Sequence, residues 1–445
     1  MFDKRLKPLD QGIYTLKGKG TFNGIRFQFR IDKDKKGVCI VDANRIIYLN
    51  EAGIQFARLA ALDLVPKKAA ASLKFMFKAK PKQLRNDYAA FQDRFKQLVL
   101  DPPSPEMFLD VQPIDLFKDT LSAPYRMDLA ITYKCDNKCS HCYVDPSRKT
   151  TKFKELNTGE LKNVIDKVVE IGIPHVIFTG GEPTLRADLP ELVKYSNQAG
   201  LVTGLNTNGR KLGEKRFAKQ LAEALLDHVQ ITLLSPEPKV HNAMTGVDCY
   251  QETVKGIQNM VKLEIPVITN TTLTKNNLKG IDKLPEFLNE LGLTKFAVNS
   301  IIKSGGGKTY KDGLTFDELE NILKTLRLAA RENEMVLIWY SPTRYCDLNP
   351  IALGLGLKRC TAAHLALCVE PNGNVLPCQS YYHSLGNILK TDWVKIWNHK
   401  LAKKLRDNDF APNECRTCEW WEACAGGCAL ESIEGKQGLC QEASA

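Results

Sequence analysis

Eleven of the fourteen cysteines in this 445-residue chain fall in two stretches, 135–142 and 360–440, and that crowding limits what the chain can become more than any other feature. In a small secreted protein, such density would signal a disulfide framework. In a long chain with no secretory segment it points to metal or redox chemistry. The N-terminus, MFDKRLKPLD, has no apolar stretch behind its charges. No run approaches the ~20 apolar residues that a membrane span needs. A cytoplasmic location with no membrane partner is therefore expected. Cys39, Cys249 and Cys346 stand alone and read as buried, small apolar residues.

The chain divides by pattern. Residues 8–48 alternate like strands (GIYTL, GIRFQFRI, GVCIV, RIIYL) between turn residues. A helix is expected from about Asn50, its N-cap, with further helices over 65–79 and 82–98. Together these form a winged-helix-like α+β module spanning 1–100. It carries 21 Lys/Arg against 9 Asp/Glu, whereas the rest of the chain is nearly neutral. That charge suggests an acidic or phosphate-bearing partner, or a solvated surface with no specific partner. The proline-bearing segment 101–124 reads as a linker.

From Met127 strands and helices alternate: MDLAIT, a helix opened by Asn157 and Glu160 in capping-box spacing, HVIFTGG, a helix closed by Gly200, then VTGLNTNG, HVQITLL, PVITNTTL, KFAVNS and EMVLIWY. Regular βα repetition implies a parallel sheet with right-handed crossovers. About six repeats suit a partial (β/α)6 TIM-like barrel over 125–345, with its site at the C-terminal ends of the strands. The tail, 346–445, is rich in Cys, Gly and Trp with little apolar patterning. Metal clusters are expected to hold it together.

Cys135-x3-Cys139-x2-Cys142 follows the first barrel strand directly. A [4Fe–4S] cluster normally takes four cysteines, so three leave one iron open to a chelating ligand. A zinc site completed by His141 is the alternative, although closed zinc sites separate their ligand pairs by longer gaps. The motif resembles the signature of the radical S-adenosylmethionine (SAM) superfamily. The resemblance implies that Cys135, Cys139 and Cys142 hold the cluster and that the open iron binds SAM. Reductive cleavage would then yield a 5′-deoxyadenosyl radical that abstracts a substrate hydrogen. An external flavodoxin- or ferredoxin-like electron donor is implied as well.

Other strand ends carry further likenesses. Gly180-Gly181-Glu182-Pro183 resembles the family's glycine-rich motif for the methionyl amino group: the glycines would let backbone approach a ligand, and Glu182 would accept from its ammonium. Asn206-Thr207-Asn208 resembles the ribose-side motif. Ser235, Asn270, His141 and Tyr143 resemble further cofactor contacts. The segment His241-Asn-Ala-Met-Thr245-Gly246 departs from relatives that carry an arginine near this point, so a carboxylate clamp must be absent or come from elsewhere.

The tail reads Cys360-x7-Cys368-x4-Gly373-x4-Cys378, Cys415-x2-Cys418-x5-Cys424-x3-Cys428, then Cys440. Eight cysteines suffice for two four-thiolate clusters, or for two structural zinc knots. The string resembles the SPASM extension of radical enzymes. That resemblance implies an auxiliary cluster I on Cys360, Cys368, Cys378 and Cys428, and a cluster II on Cys415, Cys418, Cys424 and Cys440. The total is then three [4Fe–4S] clusters. Cys368 is an extra cysteine that some relatives lack.

The run GVCIVDANRIIYLNEAGIQFARL resembles the PqqD-like peptide-binding domain of peptide-modifying SPASM enzymes. By that likeness the third strand and the following helix would capture a leader peptide by strand addition. A nucleic-acid-binding winged helix and an inert appendage are the rivals. Asp347, between the last barrel strand and the tail, is a candidate catalytic base. The resulting expectation is radical modification of a ribosomally made peptide. The alternatives are a small-molecule or tetrapyrrole substrate, or an iron–sulfur nucleic-acid-binding regulator. Intact GGEP and NTNG motifs argue against the regulator.

Overall fold

The computed structural model describes residues 7–41, 45–100, 121–149 and 154–432. The chain separates into two compact units. One is Met1–Ala123 with Val168–Pro174 and Ala199–Val202, and the other is the remainder. Cys440 and most of the expected linker lie outside the described residues. Among the described residues, no helix is long and apolar enough to cross a membrane.

The N-terminal unit opens with an antiparallel meander, β1 (Gly12–Lys17), β2 (Arg26–Ile31), β3 (Gly37–Val41) and β4 (Arg45–Leu49), paired in that order. Three helices come next, α1 (Glu51–Ala61), α2 (Pro66–Leu73) and α3 (Pro81–Leu100). Asn50 caps α1 as expected, its Oδ1 accepting from the Gly53 N–H at 2.8 Å. The second helix stops at Leu73, short of the expected 79. Phe22, Phe27 and Phe95 form the heart of the core, with Phe27 and Phe95 stacked at 5.8 Å. One expectation needs correction. β3 is hydrogen-bonded on both edges, to β2 and β4, so it has no free edge for a peptide. The strand that runs into Leu49-Asn50-Glu51 is β4, at the end of the sheet, and it pairs only with β3 among the described residues.

The larger unit alternates β5 (Arg126–Thr132), α4 (Thr158–Ile171), β6 (His175–Gly180), α5 (Leu189–Gln198), β7 (Val202–Thr207), α6 (Lys215–Glu223), β8 (His228–Thr232), α7 (Pro238–Thr245), α8 (Tyr250–Lys262), β9 (Val267–Thr272), α9 (Leu284–Glu290), β10 (Lys295–Asn299), α10 (Phe316–Glu332) and β11 (Val336–Trp339). The pairs β5–β6, β7–β8, β8–β9, β9–β10 and β10–β11 are parallel, as a partial βα barrel requires. Asn157 and Glu160 form their capping box, each donating a backbone N–H to the other's side chain at 2.9 Å.

The tail holds more apolar structure than its composition suggests. β12 (Ala366–Val369) is wholly buried and pairs in parallel with β5, extending the barrel sheet, and β13 (Asn374–Leu376) and β14 (Gly386–Asn387) continue it antiparallel. Leu376, Ile388, Ile396 and Leu405 are buried. The apolar positions are spread over short elements, so no periodicity announces them. Cys39 and Cys249 are buried as expected. Cys346 is not: it is exposed, since the turn at 344–348 sends Tyr345 inward and the next side chain out.

Candidate active site

The sheet order brings the C-terminal ends of β5, β6, β7, β8 and β9 side by side, and each end carries one of the sequence motifs. Past β5, Cys135, Cys139 and Cys142 are half-buried cysteines in one loop, none of them in a disulfide. The Asn137 N–H donates to Cys135 Sγ at 3.4 Å. Burial, then the charges of Glu182, Asp136 and Cys142, push the Cys135 thiol up to about 11, while the Asn137 hydrogen bond pulls the other way. A thiolate here therefore calls for a cationic centre, which fits an iron–sulfur cluster. The loop is braced by its surroundings. Lys138 N–H donates to Thr245 O at 2.8 Å, and Gly306 N–H, past β10, donates to Cys142 O at 2.8 Å. The segment 241–246, which departs from relatives, thus supports the cysteine loop backbone instead of offering a charge.

The side-chain positions of Gly180 and Gly181 are taken up by neighbouring backbone. A Cβ on Gly180 would strike Thr132 O, and one on Gly181 would meet Tyr133 O at 2.6 Å. The glycines let the end of β6 pass against the backbone after β5, where Gly181 and Glu182 N–H donate to Thr132 O and Lys134 O, both at 2.8 Å. Glu182 is 1% exposed. Its Oε1 accepts from Thr184 N–H (3.0 Å), Thr184 Oγ1 (2.5 Å) and Thr207 Oγ1 (2.7 Å), and its Oε2 accepts from Asn208 N–H (2.7 Å). Burial raises its pKa and these four donors lower it. Its first task is to tie the β6 and β7 loops together.

Several polar atoms on this face are left for a ligand. Asn270 Oδ1 and His141 Nδ1 are buried without a hydrogen-bond partner, an arrangement that costs free energy until something fills it. Burial lowers the His141 pKa to about 4, so the ring is neutral, and it stands edge-on to Tyr310 at 5.8 Å. The Asn206 side chain also makes no hydrogen bond among the described residues. Among the described residues, Ser235 Oγ accepts only from Glu237 N–H, at 3.0 Å. These unmet groups fit SAM beside a cluster on the cysteine triplet. The Tyr143 hydroxyl donates to Gln379 Oε1 at 3.2 Å.

In the tail, burial first and then the Cys360 charge push the Cys378 thiol up to about 12, while N–H groups of Ser380 and Tyr381 donate to its sulfur. Cys428 interacts with both Cys360 and Cys378. Cys368 lies fully buried on β12 between Tyr133 and Leu376 and interacts with Cys378. Cys415, Cys418 and Cys424 form a second group, with Tyr345 N–H donating to Cys424 Sγ at 3.3 Å. Asp347 lies past β11, ion-paired to Arg344 at 2.6 Å.

A model of the radical SAM superfamily matches residues 129–288, and a model of the SPASM iron–sulfur cluster-binding domain matches 360–419. The chain carries a radical SAM domain and, in its tail, a SPASM domain. Cys424, Cys428 and Cys440 lie past the matched SPASM span. The chain is 29% identical over 321 residues to the AdoMet-dependent heme synthase of Methanosarcina barkeri, covering 68% of this chain and 91% of that one. It is 28% identical over 319 residues to the PqqA peptide cyclase of Rhizobium meliloti, covering 70% and 83%. Its fold is similar to that of Streptococcus suis SuiB bound to the precursor peptide SuiA (TM-score 0.65, 18% identity, 95% of this chain and 97% of that one). The radical SAM domain implies one [4Fe–4S] cluster and SAM, and the SPASM domain adds iron–sulfur binding in the tail.

The sequence missed two features of the site. One is the glycine loop after β10, where Gly305 and Gly306 press against the Cys142 and Ser140 carbonyls. Its signal was the Gly305-Gly306-Gly307 run. The other is Arg210, whose side chain reaches back to the cysteine loop.

Proposed function

We propose that this radical SAM enzyme modifies a ribosomally made peptide whose leader is captured at the N-terminal unit. The observation that carries this is the likeness to SuiB over 95% of the chain, the N-terminal unit included. The open edge of β4 supports capture by strand addition. When bound at the β-strand ends, a cluster and SAM would supply a 5′-deoxyadenosyl radical for hydrogen abstraction. The protein's own residues do the rest. Cys135, Cys139 and Cys142 would hold the cluster; Asn206, Ser235, Asn270 and His141 would contact the cofactor, with Asn208, Gly180 and Gly181 shaping its walls. Glu182 fixes those walls, and Asp347 accepts a proton from the substrate. Cys360, Cys368, Cys378 and Cys428 would hold one auxiliary cluster, and Cys415, Cys418, Cys424 and Cys440 the other. A flavodoxin- or ferredoxin-like protein would be the electron donor.

Anaerobic reconstitution with iron and sulfide tests this reading. About twelve irons per chain are expected, with 5′-deoxyadenosine formed after dithionite reduction and lost when Cys135, Cys139 and Cys142 become alanine. A candidate precursor peptide encoded beside this chain should then change mass. The similarity to the heme synthase supports a tetrapyrrole as the second reading, and a mass change in a porphyrin with none in the peptide would decide for it.

A further inference from the structure

Arg210 lies three residues past the end of β7, in no motif the family resemblance uses. Its Nη1 donates to Asp136 O at 2.9 Å and Asn137 Oδ1 at 3.3 Å and pairs with Asp136 Oδ2 at 3.1 Å. Its Nε donates to Glu252 Oε2 on α8 at 2.6 Å. The other oxygen of Asp136, Oδ1, accepts from Asn208 Nδ2 at 2.7 Å. Asp136 and Asn137 are the two residues after Cys135, and the N–H of Asn137 is the one that meets the Cys135 sulfur.

One side chain thus holds the backbone carbonyl and two side chains next to the first cysteine. It anchors them to β7 and α8, a different part of the barrel. The Arg210 side chain is only 21% exposed. A planar fork with several donors can do this, and a lysine, a single point charge, cannot reproduce all of it. Both carboxylates beside Arg210 are already engaged with it. It therefore does not supply the carboxylate clamp that segment 241–246 lacks.

We propose that Arg210 is a positioning residue for the cysteine loop, setting the orientation in which the open side of the cluster meets SAM. The proposal rests on the assignment of the Cys135/Cys139/Cys142 triplet as the SAM-binding cluster site. The contact acts by geometry, so its loss should weaken SAM engagement without emptying the site.

The test uses the full chain, reconstituted anaerobically and reduced, with SAM titrated into the wild type, Arg210→Gln, Arg210→Lys and Asp136→Ala. The readouts are iron content, thermal melting and the SAM-dependent change in the cluster's electron paramagnetic resonance spectrum. For Arg210→Gln, iron content and melting temperature should stay at the wild-type level. The SAM concentration at half-maximal spectral change should rise about tenfold, the cost of one charge-assisted hydrogen bond. Arg210→Lys should recover part of the shift. Asp136→Ala, which cuts the contact from the other side, should show it too and decides the matter if Arg210→Gln does not fold. Wild-type half-saturation in the folded variants would overturn the proposal. So would a loss of iron that merely tracks a loss of melting temperature. If the wild type shows no spectral response to SAM, the triplet assignment falls and takes the proposal with it.

Discussion

The carboxylate of Glu182 and the backbone N–H of Asn208 lie 2.7 Å apart, joining the loop after β6 to the loop after β7. With Thr184 and Thr207 on the other oxygen, every contact to this buried side chain is a donor. Glu182→Gln turns an amide NH2 toward at least one of them and leaves it unmet, at about 1–3 kcal/mol per orphaned group. The variant should melt several degrees lower and bind SAM more weakly. A melting temperature equal to the wild type would remove the scaffold role assigned to the carboxylate.

Gly181→Ala should be among the most damaging single substitutions at the site. The new Cβ would meet Tyr133 O at 2.6 Å, and backbone on both sides can hardly give way. Overpacking of this kind costs roughly 1–3 kcal/mol, and here it also separates β5 from β6 at the root of the cysteine loop. The expected result is lower stability in urea together with reduced iron loading. Gly24→Ala is the control, since nothing lies within 4 Å of its Cβ; its positive φ still adds modest strain.

Sequence reaches the structure where the pattern is local. The cysteine triplet, the capping box at Asn157 and Glu160, and the alternation of β5 through β11 are legible because adjacent residues carry them. The contact of Gly180 and Gly181 with the backbone of residues 132–134, nearly fifty positions upstream, is not legible in local spacing. The brace from Thr245 to Lys138, the pairing of β12 with β5 and the free edge at β4 are likewise long-range facts. Local spacing holds no record of them. Cys346 failed for a smaller reason: a single turn decides which of two neighbouring side chains faces inward.

His241 predicts acid sensitivity. Its ring is 1% exposed and its Nδ1 accepts from Leu234 N–H at 3.2 Å, and burial lowers its pKa from 6.5 to about 4. The folded value lies below the unfolded one, so the neutral ring's contribution is present above pH 6.5. It is lost as the pH falls from 6.5 toward 4, to roughly 3 kcal/mol at most. Burial lowers His228 to about 4 as well, so the two act in the same direction. Urea unfolding at pH 7, 5.5 and 4.5 should show falling stability, with a shallower fall in His241→Gln. Parallel profiles for the two proteins would assign the acid sensitivity elsewhere.

Asp347 offers a way to separate radical formation from the later steps of the reaction. Its carboxylate is ion-paired with Arg344 at 2.6 Å and lies three positions from Arg344 in one turn, so the pair is local and survives changes around it. None of the described contacts links Asp347 to the cysteine triplet, Glu182 or Asn206. Replacing it with asparagine should therefore leave 5′-deoxyadenosine formation near the wild-type rate. If the carboxylate takes a substrate proton after hydrogen abstraction, product should fall by about a hundredfold or more, the usual scale for losing a positioned base. The decisive quantity is the ratio of deoxyadenosine to modified peptide, measured by mass spectrometry in one reaction. A ratio that rises steeply in Asp347→Asn, but not in Arg344→Lys, identifies the proton acceptor. If both products fall together, Asp347 serves the architecture of the site, and the base must be sought among other groups near the end of β11.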